Sequence, residues 1–267
     1  MSHQPAAPAG HDPHGLRSVL DHLVTLARET LADNLLGVYL QGSQATSGFD
    51  DASDIDFIIA THHDLTDTTV DQLQLRHQHL HANHPSYWAK HLEGSYIPRH
   101  HLTTLPPPRQ QLWYLNHGHT IFERSDHDHY LAVLWILRER AVVLAGPHPN
   151  TLIPEIPADA LRHEIRTTMH DWAHTILTNP DEMTQRWYAA FAVLSYARMA
   201  LSLTTGEIHS KKQGVAWARQ TFPARWQPLI DHALTTRHDL NHLLHPESAK
   251  ILDQAKAYIR YVLDNHT

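Results

Sequence analysis

The stretch 36-LGVYLQGSQATSGFDDASDIDFIIA-60 decides how this chain is read. It holds two apolar runs that predict strands, Leu36 to Gln41 and Asp54 to Ala60. Gly42-Ser43 and a polar turn join them. Residues i and i+2 of a strand share a face. Asp54 and Asp56 therefore point one way, while Ile55 and Phe57 point into the core. Neighbouring like charges repel and persist where a cation sits between them, and hard ions such as Mg²⁺ take oxygen ligands. Gly42 lets the backbone approach a ligand closely, and the N–H groups from Ser43 onward can hold phosphate oxygens. The pattern describes a phosphate cradle beside a metal seat.

A chain of 267 residues is long enough for one large domain or two ordinary ones, each with a core. Its 28 acidic and 21 basic side chains give a formal charge of −7. That balance argues against broad nucleic-acid binding, which wants a basic face, and suits a small cationic substrate better. There is no cysteine, which excludes disulfides and thiolate metal sites. No stretch has the apolar length of a membrane span or a secretory leader, so the expectation is a cytoplasmic protein with a disordered start over residues 1–14. Histidine is abundant, at 27 residues. His77, His81 and His84 share a helical face with zinc-ligand spacing, but histidine is spread along the whole chain, and compositional bias is the reading adopted for this cluster.

Helical spacing of Val19, Leu20, Leu23, Leu26 and Ala27 predicts a helix from Gly15 to Asp33. A second runs from Thr66 to His81 with Val70, Leu73, Leu75 and Leu80. Alternation from Ala89 predicts a strand that ends at Pro98. Within it Glu93 is a carboxylate in otherwise uncharged surroundings. If this strand lies beside the second one, Glu93 faces the cleft of Asp54 and Asp56; otherwise it is an edge-strand residue facing water. One or two strands follow around Gly118, and then a helix from Asp128 to Leu144. From about Pro154 only helical patterns remain: Ala158 to Thr178, Glu182 to Thr205, Lys211 to Gln220, Trp226 to Thr235 and Glu247 to Asn265. The fold class is α+β. A small mixed sheet with flanking helices occupies 15–156, and an all-helical bundle occupies 157–267.

Three cations in the helical part stand out. Arg198 lies in the most apolar helix, where an unpaired buried charge costs several kcal/mol. Its partner is either a carboxylate of the chain or a phosphate bound between the domains. Lys211 and Lys212 occupy the first turn of a helix behind Ser210, where the macrodipole disfavours cations by about 0.3–1 kcal/mol each. They are either exposed and tolerated, or an anion docks at the same helix end.

Gly42-Ser43 followed by Asp54-Ile55-Asp56 resembles the signature of the polymerase-beta-type nucleotidyltransferases. The tract from Leu194 to Ala218, with Thr205-Gly206-Glu207-Ile208-His209-Ser210-Lys211, narrows the likeness. It is similar to the C-terminal helical domain of the aminoglycoside adenylyltransferases that modify streptomycin and spectinomycin. Phe222-Pro223-Ala224-Arg225-Trp226-Gln227-Pro228 and Leu92-Glu93 fit the same pattern.

The resemblance implies a monomeric Mg²⁺-dependent enzyme that moves AMP from ATP to an aminoglycoside-like hydroxyl compound. It implies metal binding by Asp54, Asp56 and Glu93, with Glu93 also the general base. It implies nucleotide binding by Gly42, Ser43, Arg198 and Lys211. The stretch Arg186-Trp187-Tyr188-Ala189-Ala190-Phe191 departs from the polar, acidic side chains these enzymes place there against the drug. A different hydroxyl acceptor, or a non-catalytic nucleotide-binding module, are the competing readings.

Overall fold

The computed structural model describes residues 15–179, 183–239 and 245–267. Residues 1–14, expected to be disordered, lie outside them, as do Asp181 and Glu182. Six strands form one mixed sheet: β1 (Leu35–Leu40), β2 (Ile55–Thr61), β3 (Leu92–Pro98), β4 (Leu112–Leu115), β5 (Phe122–Ser125) and β6 (Val142–Ala145), in the order β5-β4-β3-β2-β1-β6. β2 and β3 are parallel and all other neighbours antiparallel.

The central strand β2 reads as a continuous apolar run because both its faces are covered. Ile55, Phe57 and Ile59 pack with Val19, Leu23 and Ala27 of helix α1 (Leu16–Leu31). The same cluster includes Val70, Leu73 and Leu80 of α3 (Asp67–Asn83). Leu75, expected on that face, is instead exposed. Ile58 and Ala60 of the opposite face belong to a second core. That core continues through α5 (Leu131–Arg140) into α6 (Ala158–Thr178), α7 (Arg186–Thr205), α8 (Lys211–Thr221), α9 (Gln227–His238) and α10 (Ala249–His266). Asp54 and Asp56 share the parity of Ile58, so strand periodicity alone aims them at the helical half.

Two boundaries differ from the sequence reading. The helix expected from Asp128 to Leu144 covers only Leu131–Arg140, and Val142–Ala145 forms an edge strand on β1, with Leu40 opposite Val142 and Tyr39 opposite Val143. Consecutive β-branched valines favour the strand once a partner ladder is available. Ala89 and Lys90, read as the start of a strand, belong to a 3₁₀ turn over Tyr87–Lys90 in which the Ser86 hydroxyl accepts from the Trp88 N–H, and β3 begins at Leu92. His77 is a core residue: its ring stacks on Phe57, and its Nε2 lies 2.8 Å from Tyr96 Oη. Burial pushes it down to about 3, which keeps it neutral. The His77/His81/His84 face is thus no zinc site.

The helical half is closed around one tight crossing. A Cβ on Gly214 of α8 would stand 2.5 Å from the N and Cα of Arg198 on α7. Gly214 therefore lets α8 approach α7 and brings Lys211, one turn earlier, toward Arg198. Ser210 caps α8 in a reciprocal box with Gln213, and Gly206, with φ of 76°, ends α7. Alanine at 214 gains helix propensity of about 1 kcal/mol, but overpacking costs about 1–3 kcal/mol. Gly214→Ala is expected to lower stability in urea unfolding by about 1 kcal/mol. An unchanged or raised midpoint would show that the crossing is loose.

Candidate active site

The parallel register of β2 and β3 sets Asp56 directly opposite Glu93. The two carboxylates thus face one cleft, as the strand pairing required. Asp54, just before β2, turns outward: its Oδ1 lies 2.9 Å from His117 Nδ1 and 4.0 Å from His91 Nδ1. Gly42, just after β1, sits against Asp56 with φ of 58°. A Cβ there would fall 2.0 Å from Asp56 Oδ2, so only glycine leaves the carboxylate its place. The Ser43 N–H reaches toward the same oxygen at 3.5 Å, and the Ser43 hydroxyl is buried with no hydrogen-bond partner.

A fourth carboxylate lies beneath. Asp128 is buried, accepting from the Gln41 side-chain amide at 3.1 Å and from the Ser95 hydroxyl at 2.6 Å. Burial pushes it up to about 6. Asp56 is pushed up to about 8, first by burial and then by the charges of Glu93, Asp54 and Asp128. Glu93 behaves oppositely. Burial opposes its charge, but His127 at 3.3 Å and a short hydrogen bond donated by Tyr114 outweigh it and hold the carboxyl below the usual range. Both partners use Oε1, which leaves Oε2 to accept a proton. His127 is raised by its bond to Glu93.

The cations come from the helical half. Arg198 is lowered by burial, with Tyr130 and Asp56 acting in the opposite direction. Lys211 is lowered to about 7, first by burial and then by Arg198 and Arg237, against the pull of Asp56 and Asp54. Its Nζ lies 4.1 Å from the centroid of the Phe191 ring. Arg237 ties the halves together, donating to Asp50, to the Ala52 carbonyl at 3.2 Å and to Ser53 Oγ at 3.3 Å. Among the described residues, no carboxylate lies within ion-pairing distance of Arg198 or Lys211. The cleft therefore holds an acidic wall and a basic wall that have not collapsed onto each other.

That arrangement fits a divalent cation with an anionic ligand. Asp56 is uncomfortable as an anion without a nearby positive charge, and its oxygens are the hard donors that Mg²⁺ takes. Of the site residues expected from the sequence, Asp56 and Glu93 stand side by side, Gly42 and Ser43 adjoin Asp56, and Arg198 and Lys211 approach from the helical half, whereas Lys212 is exposed.

The region 151–264 matches the family model described as "Aminoglycoside adenylyltransferase, C-terminal domain". The chain is 25% identical over 222 residues to the spectinomycin 9-adenylyltransferase of Campylobacter jejuni, covering 80% of this chain and 82% of that protein. It is 27% identical over 253 residues to an aminoglycoside (3'') (9) adenylyltransferase of Escherichia coli, covering 91% and 92%. The chain is thus similar to aminoglycoside adenylyltransferases along most of its length, and its helical part matches their C-terminal domain. Its fold is also that of the crystallised spectinomycin adenyltransferase AAD(9) from Enterococcus faecialis with ATP and spectinomycin. The TM-score is 0.67 at 19% identity, over 93% of this chain and 98% of that one.

Sequence reasoning missed Asp128, Tyr114, His117, His127 and Arg237. Asp128 was read as a helix start, and its role depends on Gln41 and Ser95, far away in sequence. His127 carries no signal beyond the general abundance of histidine. Tyr114 carried a usable signal, since it falls on a strand beside the one bearing Glu93.

The raised Asp56 has a measurable consequence. Between about pH 4 and about pH 8 the folded, metal-free protein keeps a proton that the unfolded chain releases. This group taken alone therefore lowers stability as pH rises through that window, by on the order of 1 kcal/mol per unit at most, while His77, held neutral by burial, contributes a slope of the opposite sign below its ordinary range. In urea unfolding with chelator, Asp56→Asn should gain stability relative to the parent chain as pH rises. A difference between the two that does not change with pH, or changes with the opposite sign, would contradict the assignment.

Proposed function

We propose that this chain transfers AMP from ATP to a hydroxyl of an aminoglycoside of the spectinomycin and streptomycin type. The observation that carries the reading is the cleft itself: Asp56 and Glu93 on adjacent parallel strands, facing Arg198 and Lys211 from the helical half. The division near residue 156, into a nucleotidyltransferase part and a helical part that closes over it, belongs to the same reading. So does a monomer, since all these groups come from one chain.

Asp54 and Asp56 would hold Mg²⁺, with Glu93 at the edge of that set. Magnesium there supplies positive charge beside the reacting α-phosphate. The backbone at Gly42 and Ser43, with the unpartnered Ser43 hydroxyl, receives phosphate oxygens. Arg198 and Lys211 neutralise the outer phosphates, and a triphosphate restores full charge to Lys211 by relieving its repulsion from Arg198 and Arg237. Glu93 is ionised at neutral pH and takes the proton of the acceptor hydroxyl on Oε2. Tyr114 and His127 hold its other oxygen and fix its direction. Oxygen of the acceptor bonds to the α-phosphorus as pyrophosphate leaves toward the basic wall. Fixed charge and positioning do most of the work.

A second acceptor class is favoured by one feature. Trp187 and Phe191 are both partly exposed on α7, and the Phe191 ring lies under Lys211, so an aromatic surface adjoins the basic wall. This surface suits an acceptor with a less polar body than streptomycin.

The chain, ATP, Mg²⁺ and a panel of aminoglycosides should yield a product heavier by one AMP in mass spectrometry. No transfer to any member, with ATP still consumed in the presence of other hydroxyl compounds, would move the assignment to another acceptor. Glu93→Gln should keep ATP binding and lose about 10²–10⁴ in kcat. Loss of ATP binding in that variant would assign Glu93 to the metal or the fold instead. Arg198→Ala should raise KM for ATP with a smaller change for the acceptor; an unaltered ATP KM would remove Arg198 from the nucleotide site.

A further inference from the structure

Outside the acidic wall a second donor group converges on Asp54. His91 lies just before β3 and His117 in the turn between β4 and β5. Their rings stand 4.8 Å apart, and one nitrogen of each, with a carboxylate oxygen of Asp54, lie within 4.8 Å of one another. The measured separations are 2.9 Å from Asp54 Oδ1 to His117 Nδ1 and 4.0 Å to His91 Nδ1. Ligand atoms about 2.1 Å from a tetrahedral zinc stand about 3.4 Å apart. The two separations straddle that value, so a small change of side-chain torsion completes the site.

His117 already faces Asp54 as an ion pair when its ring is protonated, so a cation would take the place of that proton between the two groups. Two further features point to a ligand. Tyr87 stacks on His91 at 3.8 Å and limits the rotation of that ring. All three residues are partly exposed, which leaves a fourth position open to water. The one other such group among the described residues, Asp64 with His100 and His101, has two exposed members, and His100 and His101 are adjacent on the short helix Arg99–Thr103. It has the character of a surface cluster.

We propose that Asp54, His91 and His117 bind one borderline divalent cation of the zinc class. Two imidazoles and one carboxylate suit Zn²⁺, Co²⁺ or Ni²⁺, whereas Mg²⁺ prefers oxygen alone. This site is distinct from the magnesium seat but shares Asp54 with it. On the adenylyl-transfer reading, zinc-class ions therefore withdraw Asp54 from the magnesium set and inhibit. Binding itself does not depend on that reading.

The test uses the full chain without nucleotide. Titration with Co²⁺ should develop a visible ligand-field band that saturates at one equivalent and is displaced by Zn²⁺. His91→Gln and His117→Gln should each weaken binding at least about tenfold, since even outer partners of a metal site cost that much. His100→Ala should leave the band unchanged. Circular dichroism and thermal melts of the variants separate lost ligands from lost fold, and His91→Ala and His117→Ala serve if a glutamine variant fails to fold. A wild-type band in the folded double variant, or no saturable band in the wild type, overturns the proposal whatever the enzyme activity proves to be.

Discussion

Everything in this molecule turns on like charges held close together. Parallel pairing of β2 with β3 forces Asp56 against Glu93, and Asp128 is packed beneath them. An acidic set of this kind is unfavourable alone, and the protein offsets it unevenly. Glu93 is stabilised by Tyr114 and His127, Asp54 by His117, and Asp128 by Ser95 and Gln41. Asp56 receives only the distant Ser43 N–H and stays destabilised as an anion. The residue least satisfied by its own chain is the one best placed to gain from a metal.

The helical half mirrors this arrangement with opposite sign. Gly214 allows α8 to lie against the backbone at Arg198, and Gly48 lies so close to Ser210 that a Cβ there would approach its Cβ to 2.8 Å. These small residues bring the loop after β1, the start of α8 and the middle of α7 to one place. Arg198, Lys211 and Arg237 meet there, and burial first, then repulsion from the two arginines, lowers Lys211. Two walls of like charge, close but not in contact, leave a gap whose natural filler is positive on one side and negative on the other. A magnesium nucleotide has that polarity.

Much of this was legible in the sequence because local rules govern it. Strand periodicity fixes the direction of Asp56, though not of Asp54, which precedes the strand and turns toward His117, and a lone carboxylate in an apolar strand marks Glu93. A lysine at the wrong end of a helix dipole marks Lys211. What the sequence hid depends on distant partners. Asp128 is defined by residues 33 and 87 positions away, and His117 lies in a turn with no periodicity to orient it. Strand β6 was hidden for another reason: it follows α5 after the single residue Ala141, with no turn signal between Arg140 and Val142, and it forms because β1 offers an open edge.

The central claim is that the acidic wall and the basic wall grip opposite ends of one magnesium nucleotide. A crystal structure with Mn²⁺ and a non-hydrolysable ATP analogue tests it most directly. The account predicts an anomalous peak against Asp54 and Asp56, with the triphosphate running from Gly42-Ser43 toward Arg198 and Lys211. A nucleotide bound elsewhere, or one whose phosphates avoid both cations, would contradict it.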